Sequence, residues 1–331
     1  FYSPSGYGFG KKYHPADFVC YLPFDSHSNA KSFVELLRPH LAVFIKYEFW
    51  YYFLMALKEN HVPVFSVSSI FRKDQWFFKR GGKFFRQMLG CISHFFVQNE
   101  NSLELLKSIQ LENSTLSGDT RFDRVAEIAR NPLNIPIAQA FKGKSKMLVI
   151  GSSWPQDINL LLPYINSAGI DIKFIIAPHE LGSKNILELS NKLTVPYIVY
   201  SQADTSTVGE KKVLIIDNMG MLSSLYSYGD IAYVGGAFHE GLHSILEPAA
   251  HGKPIVFGRD KSNLKYQEAI DLLRLGGAFE LDAEEEVYTT FRKLLSDQEY
   301  YQRTVAIVKE YMQKKVGATS IVMNHLAKYL N

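Results

Sequence analysis

Short apolar runs alternate with amphipathic stretches along most of the chain. In the first third the runs are Val19–Leu22, ending at Pro23, then Leu41–Ile45, Val62–Val67, His94–Val97 and a short strand closing at Leu116-Ser117-Gly118. Between them, Asn29–Arg38, Phe49–Asn60 and Asn99–Ile109 space their apolar residues at helical intervals, with Phe33, Leu36 and Leu37 on one side of the first and Leu103 and Leu106 facing inward in the last. Leu41–Ile45 is unbroken, as in a strand covered on both faces. Residues 121–144 show no clear period and hold Pro132, Pro136 and Gly143, which predicts a linker. A second series follows. Strands are predicted at Met147–Ile150, Ile172–Ala177, Pro196–Tyr200, Val213–Ile216, Ile231–Val234 and Pro254–Phe257, with helices over 156–168, 180–192, 219–227, 244–251, 262–275 and 284–296 and a helical tail over 298–330. Such alternation predicts an α/β fold with two Rossmann-like domains, each a parallel sheet covered by helices, facing each other across a cleft. The expected divisions are 1–125, 145–310 and a C-terminal helix, 311–331, returning toward the first domain.

Composition changes this picture little. With 331 residues there is room for two domains, and 47% hydrophobic with 21% charged residues are globular values. A net charge of +3 excludes no partner. Cys20 and Cys91 lie in or beside apolar runs, without CxxC or metal-ligand spacing, and read as buried thiols. No apolar run approaches the roughly 20 residues of a membrane span. The chain begins at Phe1, not Met, and is expected to be a fragment or a processed form.

The candidate chemistry gathers in the second half. Gly235–Pro248, GGAFHEGLHSILEP, lies between the Ile231–Val234 and Pro254–Phe257 runs. Gly235-Gly236 permits positive φ and close approach to a ligand. Ser244 with Glu247 three residues on has capping-box spacing, and a helix start there would favour an anion such as a phosphate. Glu247 either closes that box or accepts from ribose hydroxyls. Gly151-Ser152-Ser153-Trp154 and Pro178-His179-Glu180 follow two further strands, so three turns converge on one sheet edge. Asp217-Asn218-Met219-Gly220 follows a fourth, and His243 stands at the mouth of the glycine loop. Each turn alone reads equally well as an ordinary strand–helix crossover.

Other motifs carry less. Gly6-Tyr7-Gly8-Phe9-Gly10-Lys11 has the spacing of neither GxGxxG nor GxxxxGK[ST]. There is no Asp-x-Asp for a metal–diphosphate mechanism and no GxSxG nucleophile elbow. Residues 71–86, FRKDQWFFKRGGKFFR, set six basic residues against Asp74 and interleave them with aromatics. That mixture suits an anionic membrane surface or amphiphilic ligand, single-stranded nucleic acid, or a buried aromatic face with solvated lysines. Glu48 follows Ile45-Lys46-Tyr47 at the end of a strand pattern, where a carboxylate could act as a base, orient one, bind acceptor hydroxyls, or simply pair with Lys46 or Arg72.

Taken in order, Ser3-Pro4-Ser5-Gly6, Tyr21-Leu22-Pro23-Phe24-Asp25, Glu48-Phe49-Trp50, Gln98-Asn99-Glu100, Ser117–Asp123, Met219-Gly220 with Leu222, and above all Gly235-Gly236-Ala237-Phe238 through His243–Pro248 resemble the 3-deoxy-D-manno-octulosonic acid (Kdo) transferase family, from residue 1 to about 280. The resemblance implies a two-domain GT-B glycosyltransferase at the cytoplasmic face of the bacterial inner membrane, peripheral or monotopic. It would move Kdo from CMP-Kdo to a lipid A precursor in lipopolysaccharide biosynthesis, with inversion and with neither metal nor other cofactor. It places Ser152, Ser153, His179, Met219, Gly220, Gly236, His243, Ser244 and Glu247 around CMP, Glu48 in the catalytic cleft, and Ser3, Ser5, Gly6 and Arg72 on the acceptor. Residues 71–86 would meet the anionic membrane, with no nucleic acid expected.

Departures from the family pattern qualify the resemblance. Pro178-His179-Glu180 stands where the family has Pro-Arg-His, Ser244 where it has Asn, and Met221 where it has Glu. The family's first βα unit carries a Gly-Glu pair whose Glu is the proposed base. Nothing here matches it, so the base is expected upstream of Phe1, the chain alone is expected to be inactive, and the first domain is expected to be the less stable one. The rivals are a GT-B transferase or epimerase using a UDP-sugar, and a non-catalytic membrane- or nucleic-acid-binding module.

Overall fold

A computed structural model describes residues 16–167 and 171–330. The chain divides into two compact units, one formed by the residues up to Thr120 with those from Gly317 onward, the other by Arg121–Val316. Each unit is built on a wholly parallel sheet.

In the first unit the strands β1 (Ala42–Ile45), β2 (Val64–Ser69), β3 (His94–Val97) and β4 (Ser114–Leu116) lie in the order 1-2-3-4. β2 is buried at every position, but β1 is an edge strand whose outward Val43 and Ile45 are 42% and 50% exposed. The expectation that Leu41–Ile45 is covered on both faces is therefore corrected, because an unbroken apolar run records composition and not what packs on it. Val19–Leu22 is not a strand either: among the described residues it is irregular backbone that continues into Pro23. One face of the sheet is covered by the C-terminal helix Ala318–Leu330, whose Val322 and Leu326 pack with Phe65, Val67 and Phe96.

The second unit carries seven strands: β5 (Lys146–Ser153), β6 (Ile172–Pro178), β7 (Tyr197–Val199), β8 (Val213–Ile215), β9 (Ile231–Val234), β10 (Ile255–Gly258) and β11 (Ala278–Leu281). Their order is 11-10-9-5-6-8-7. Strand alternation sorts their side chains between two cores. Met147, Val149, Ile175, Ala232, Ile255 and Phe257 enter one, and Leu148, Ile150, Phe174, Ile176, Tyr233 and Val256 the other. Burial on both faces is why these strands read as continuous apolar runs. β11 has no such signal: it is a four-residue edge strand with two half-buried positions. Residues 121–144 are not a linker. Thr120–Arg130 and Pro136–Lys142 are helices that bury Phe122, Val125, Ala138 and Phe141 in the second unit, with Ile135 buried just before the second of them. Two buried residues per helix leave too narrow a stripe to show as a period. The tail is two helices, Gln298–Lys315 and Ala318–Leu330, divided at Gly317, which has φ 117°. Among the described residues no helix is long and apolar enough to cross a membrane.

The seat of the C-terminal helix includes a pair of histidines. His94 and His325 lie with ring centroids 4.3 Å apart, and His94 Nε2 is 2.9 Å from the Thr115 hydroxyl. Burial, reinforced by His325 and Lys328, pushes the His94 pKa down to about 4. Because the folded value lies below the ordinary 6.5, stability is level above pH 6.5, falls as pH drops from there, and levels off below about 4. Amide exchange in β3 and Ala318–Leu330 should therefore be faster at pH 5 than at pH 7 after correction for intrinsic rates. His94→Gln, which keeps a partner for Thr115, should shrink that difference. An unchanged pH dependence in the variant would remove His94 as its source.

Candidate functional site

The C-terminal ends of both sheets carry unusual backbone. Lys46 (φ 61°) follows β1, and Ser68 (φ 54°) and Ser152 (φ 51°) sit near the ends of β2 and β5. A non-glycine residue in the left-handed region costs on the order of 1 kcal/mol or more and persists only where its surroundings hold it.

In the second unit a buried carboxylate provides that hold. The helix Pro155–Asn166 starts after β5, and Asp157, in its first turn, is fully buried. It accepts from the backbone N–H of Trp154 (2.9 Å), the backbone N–H of Gly236 (3.0 Å) and the hydroxyl of Tyr233 (2.8 Å). Burial pushes its pKa up, while these three hydrogen bonds pull the other way. The N–H of Trp154 is therefore satisfied by the protein's own anion. The Ser153 hydroxyl beside it is buried and has no hydrogen-bond partner among the described residues. Ser152 is half-buried.

The Gly235-Gly236 pair serves this same contact. A Cβ on Gly235 would lie 2.4 Å from the Ser152 carbonyl and 2.7 Å from Asp157, and one on Gly236 (φ 99°) 2.6 Å from the His243 ring. The glycines thus let the loop approach its own chain, and Gly236 is the bed on which His243 lies. The loop is closed by the N–H groups of His239 and Gly241 donating to Gly236 and that of His243 donating to Gly235. The expected capping box is absent: the following helix is only Leu246–Ala250, Ile245 is its N-cap without a side-chain hydrogen bond, and Ser244 is exposed. Glu247, in the first turn, is half-buried, has its pKa raised by that burial, and makes no hydrogen bond within the described residues.

Over this floor four rings converge. Trp154 stacks on His179 at 4.6 Å and 20°, His179 stacks on His243 at 4.6 Å and 23°, and His239 lies 4.0 Å from Trp154. The indole Nε1–H of Trp154 donates to His243 Nε2 at 3.2 Å. Burial lowers the His243 pKa, with His179 adding to the shift and Glu240 opposing it. His179 and His243 are thus brought together with two residues, Trp154 and His239, that sequence reasoning had passed over. Met219, 88% exposed, and Gly220, with open space where a Cβ would point, lie in the loop after β8, the next strand but one from β5. Among the described residues no group of three His, Cys, Asp or Glu could hold a metal.

In the first unit Glu48 accepts from Trp50 Nε1 at 2.7 Å instead of pairing with Lys46 or Arg72. Exposed Arg72 faces Asp74 at 3.9 Å. Ser3, Ser5 and Gly6 lie outside the described residues. The 71–86 stretch divides its roles. Phe71 and Phe77 are core, and Arg86 is tied to the carbonyls of Phe77 and Lys79. Trp76 and Phe84 are 59% and 52% exposed beside exposed Lys79, Arg80 and Lys83.

The family described as 3-deoxy-D-manno-octulosonic-acid transferase (kdotransferase) matches residues 1–124. The 3-deoxy-D-manno-octulosonic acid transferase of Chlamydia pneumoniae is 27% identical over 94% of this chain and 73% of its own length. The chain is related to the Kdo transferases. Among solved structures it resembles the UDP-GlcNAc 2-epimerase of Neisseria meningitidis (TM-score 0.62, 19% identity, 91% of this chain and 79% of that one). It also resembles MurG of Acinetobacter baumannii (TM-score 0.54, 12% identity, 91% and 78%). These likenesses establish the GT-B fold class expected from the sequence.

The glycine loop makes a direct test of this geometry. Gly236→Ala adds a Cβ 2.5 Å from the Gly241 carbonyl at a φ of 99°, and should lower the stability of the second unit by about 1–3 kcal/mol. Thermal unfolding would measure it. A variant as stable as the parent would mean that the loop yields and does not depend on this close approach.

Proposed function

We propose that the chain is a glycosyltransferase that moves Kdo from CMP-Kdo to a lipid A precursor, with inversion and without a metal. The observation that carries the reading is convergence: the turns after four adjacent strands, β9, β5, β6 and β8, bring every donor-side candidate to one sheet edge, in a chain related to a Kdo transferase over 94% of its length. Ser153 supplies an unpartnered hydroxyl, His179 and His243 supply ring N–H groups, and Glu247 supplies a carboxylate with no partner of its own for the ribose hydroxyls. Met219, Gly220, Ser152 and Ser244 complete the rim. In the reaction the acceptor hydroxyl gives its proton to a carboxylate, and its oxygen attacks the anomeric carbon. The bond from that carbon to the phosphate oxygen breaks, and CMP leaves with the electron pair. Hydrogen-bond donors fixed in advance around the phosphate lower the barrier to its departure. Glu48, oriented by Trp50, serves the acceptor side together with Arg72.

The exposed Trp76 and Phe84, with Lys79, Arg80 and Lys83, hold the protein against an anionic lipid surface, where an amphiphilic acceptor is found. The uridine-nucleotide alternative is separated by nucleotide choice. In thermal-shift titrations CMP should raise the unfolding midpoint and UDP should not; the reverse order would replace this reading with a UDP-sugar enzyme. Binding to vesicles containing anionic lipid should fall on the order of 100-fold when Lys79, Arg80 and Lys83 are all changed to Gln, at about 1 kcal/mol for each cation. Binding that is insensitive to these changes and to salt would remove the membrane role.

A further inference from the structure

We infer that Trp154 is a positioning residue that fixes the tautomer of His243, so that the donor-side edge presents a neutral Nδ1–H to its ligand's anionic oxygen. The inference rests on the proposed reading for the identity of that ligand, but not for the tautomer itself. An indole nitrogen can only donate. At 3.2 Å from His243 Nε2, the Trp154 Nε1–H requires a lone pair on that nitrogen. His243 therefore carries its single proton on Nδ1, and protonating the ring would abolish the bond. Among the described residues nothing in the protein accepts from Nδ1.

The surroundings support the same state. Trp154 and His243 lie within 20° and 23° of the plane of His179, which stacks on both at 4.6 Å, so the hydrogen-bonded pair is held nearly flat under a third ring. His243 also cannot tip toward its floor, because its ring fills the space above Gly236. The titratable groups around it are His179 from the turn after β6, His239 and Glu240 from its own loop, and Asp157 beneath, whose charge is already taken by three donors. Burial of the ring and the stacked His179 both disfavour the imidazolium. A neutral donor whose orientation is set before binding needs no rearrangement when negative charge develops in front of it. Trp154 thus acts on the ligand through His243.

Histidine 15N–1H correlation spectra of the protein without ligand test the tautomer directly. At pH 7 His243 should show the neutral Nδ1–H pattern, and Trp154→Phe, which keeps an aromatic ring against His179, should shift it toward the Nε2–H form favoured in water. With CMP as the probe, the same variant should bind about five- to tenfold more weakly, the worth of one hydrogen bond. An Nε2–H or imidazolium pattern in the unaltered protein overturns the inference, whether or not the variant folds. So does CMP affinity that is unchanged in the variant. Failure of the unaltered protein to bind CMP, with the Nδ1–H pattern present, overturns the nucleotide reading and leaves the tautomer standing.

Discussion

The second unit depends on one buried carboxylate. An isolated ionised Asp in a protein interior is strongly disfavoured, and Asp157 is tolerated because three donors converge on it. Those donors belong to three different pieces of chain: the turn after β5, the β9 strand and the loop after β9. Satisfying Asp157 therefore fixes the helix start, the strand and the glycine loop with respect to one another. The consequences follow in order. Gly235 must lack a side chain because the β5 turn and the carboxylate occupy its space, Gly236 must lack one because His243 lies on it, and His243 then meets the indole of Trp154. The ring cluster is the outer layer of an arrangement whose inner layer is a charge held in place by hydrogen bonds.

Much of this fold can be read from the sequence, and what cannot be read has identifiable causes. Met147–Ile150 and Ile231–Val234 were legible as strands because both their faces are buried, which makes their apolar character continuous. Leu41–Ile45 has the same character, yet two of its five side chains, Val43 and Ile45, face outward: a run reports what residues are, not what covers them. The helices in 121–144 were missed because Phe122 and Val125 alone anchor the first of them. At the site, the glycine pair was conspicuous, but its purpose was not, since a glycine that admits a ligand and one that admits its own chain look alike. Asp157 was invisible as a functional element because its partners Tyr233 and Gly236 are 76 and 79 positions away. The Ser244–Glu247 spacing misled in the opposite sense: a five-residue helix capped at Ile245 has no place for the box that the spacing suggests.

The chemistry of this edge differs from that of a cationic phosphate cradle. Glu180, Glu240 and Glu247 are all near the candidate residues, while His179 stacks over the hydrogen-bonded pair of Trp154 and His243. Bringing a phosphate here on charge alone would be unfavourable against three carboxylates. Neutral donors avoid part of that conflict: an imidazole N–H or a serine hydroxyl attracts an anionic oxygen without first having to be charged in a desolvated setting that penalises the imidazolium. Such a site discriminates by geometry more than by net charge, and geometry is what the Asp157 anchor supplies. Loosening the anchor should therefore disturb the turn after β5, the end of β9 and the glycine loop together, because all three donate to it.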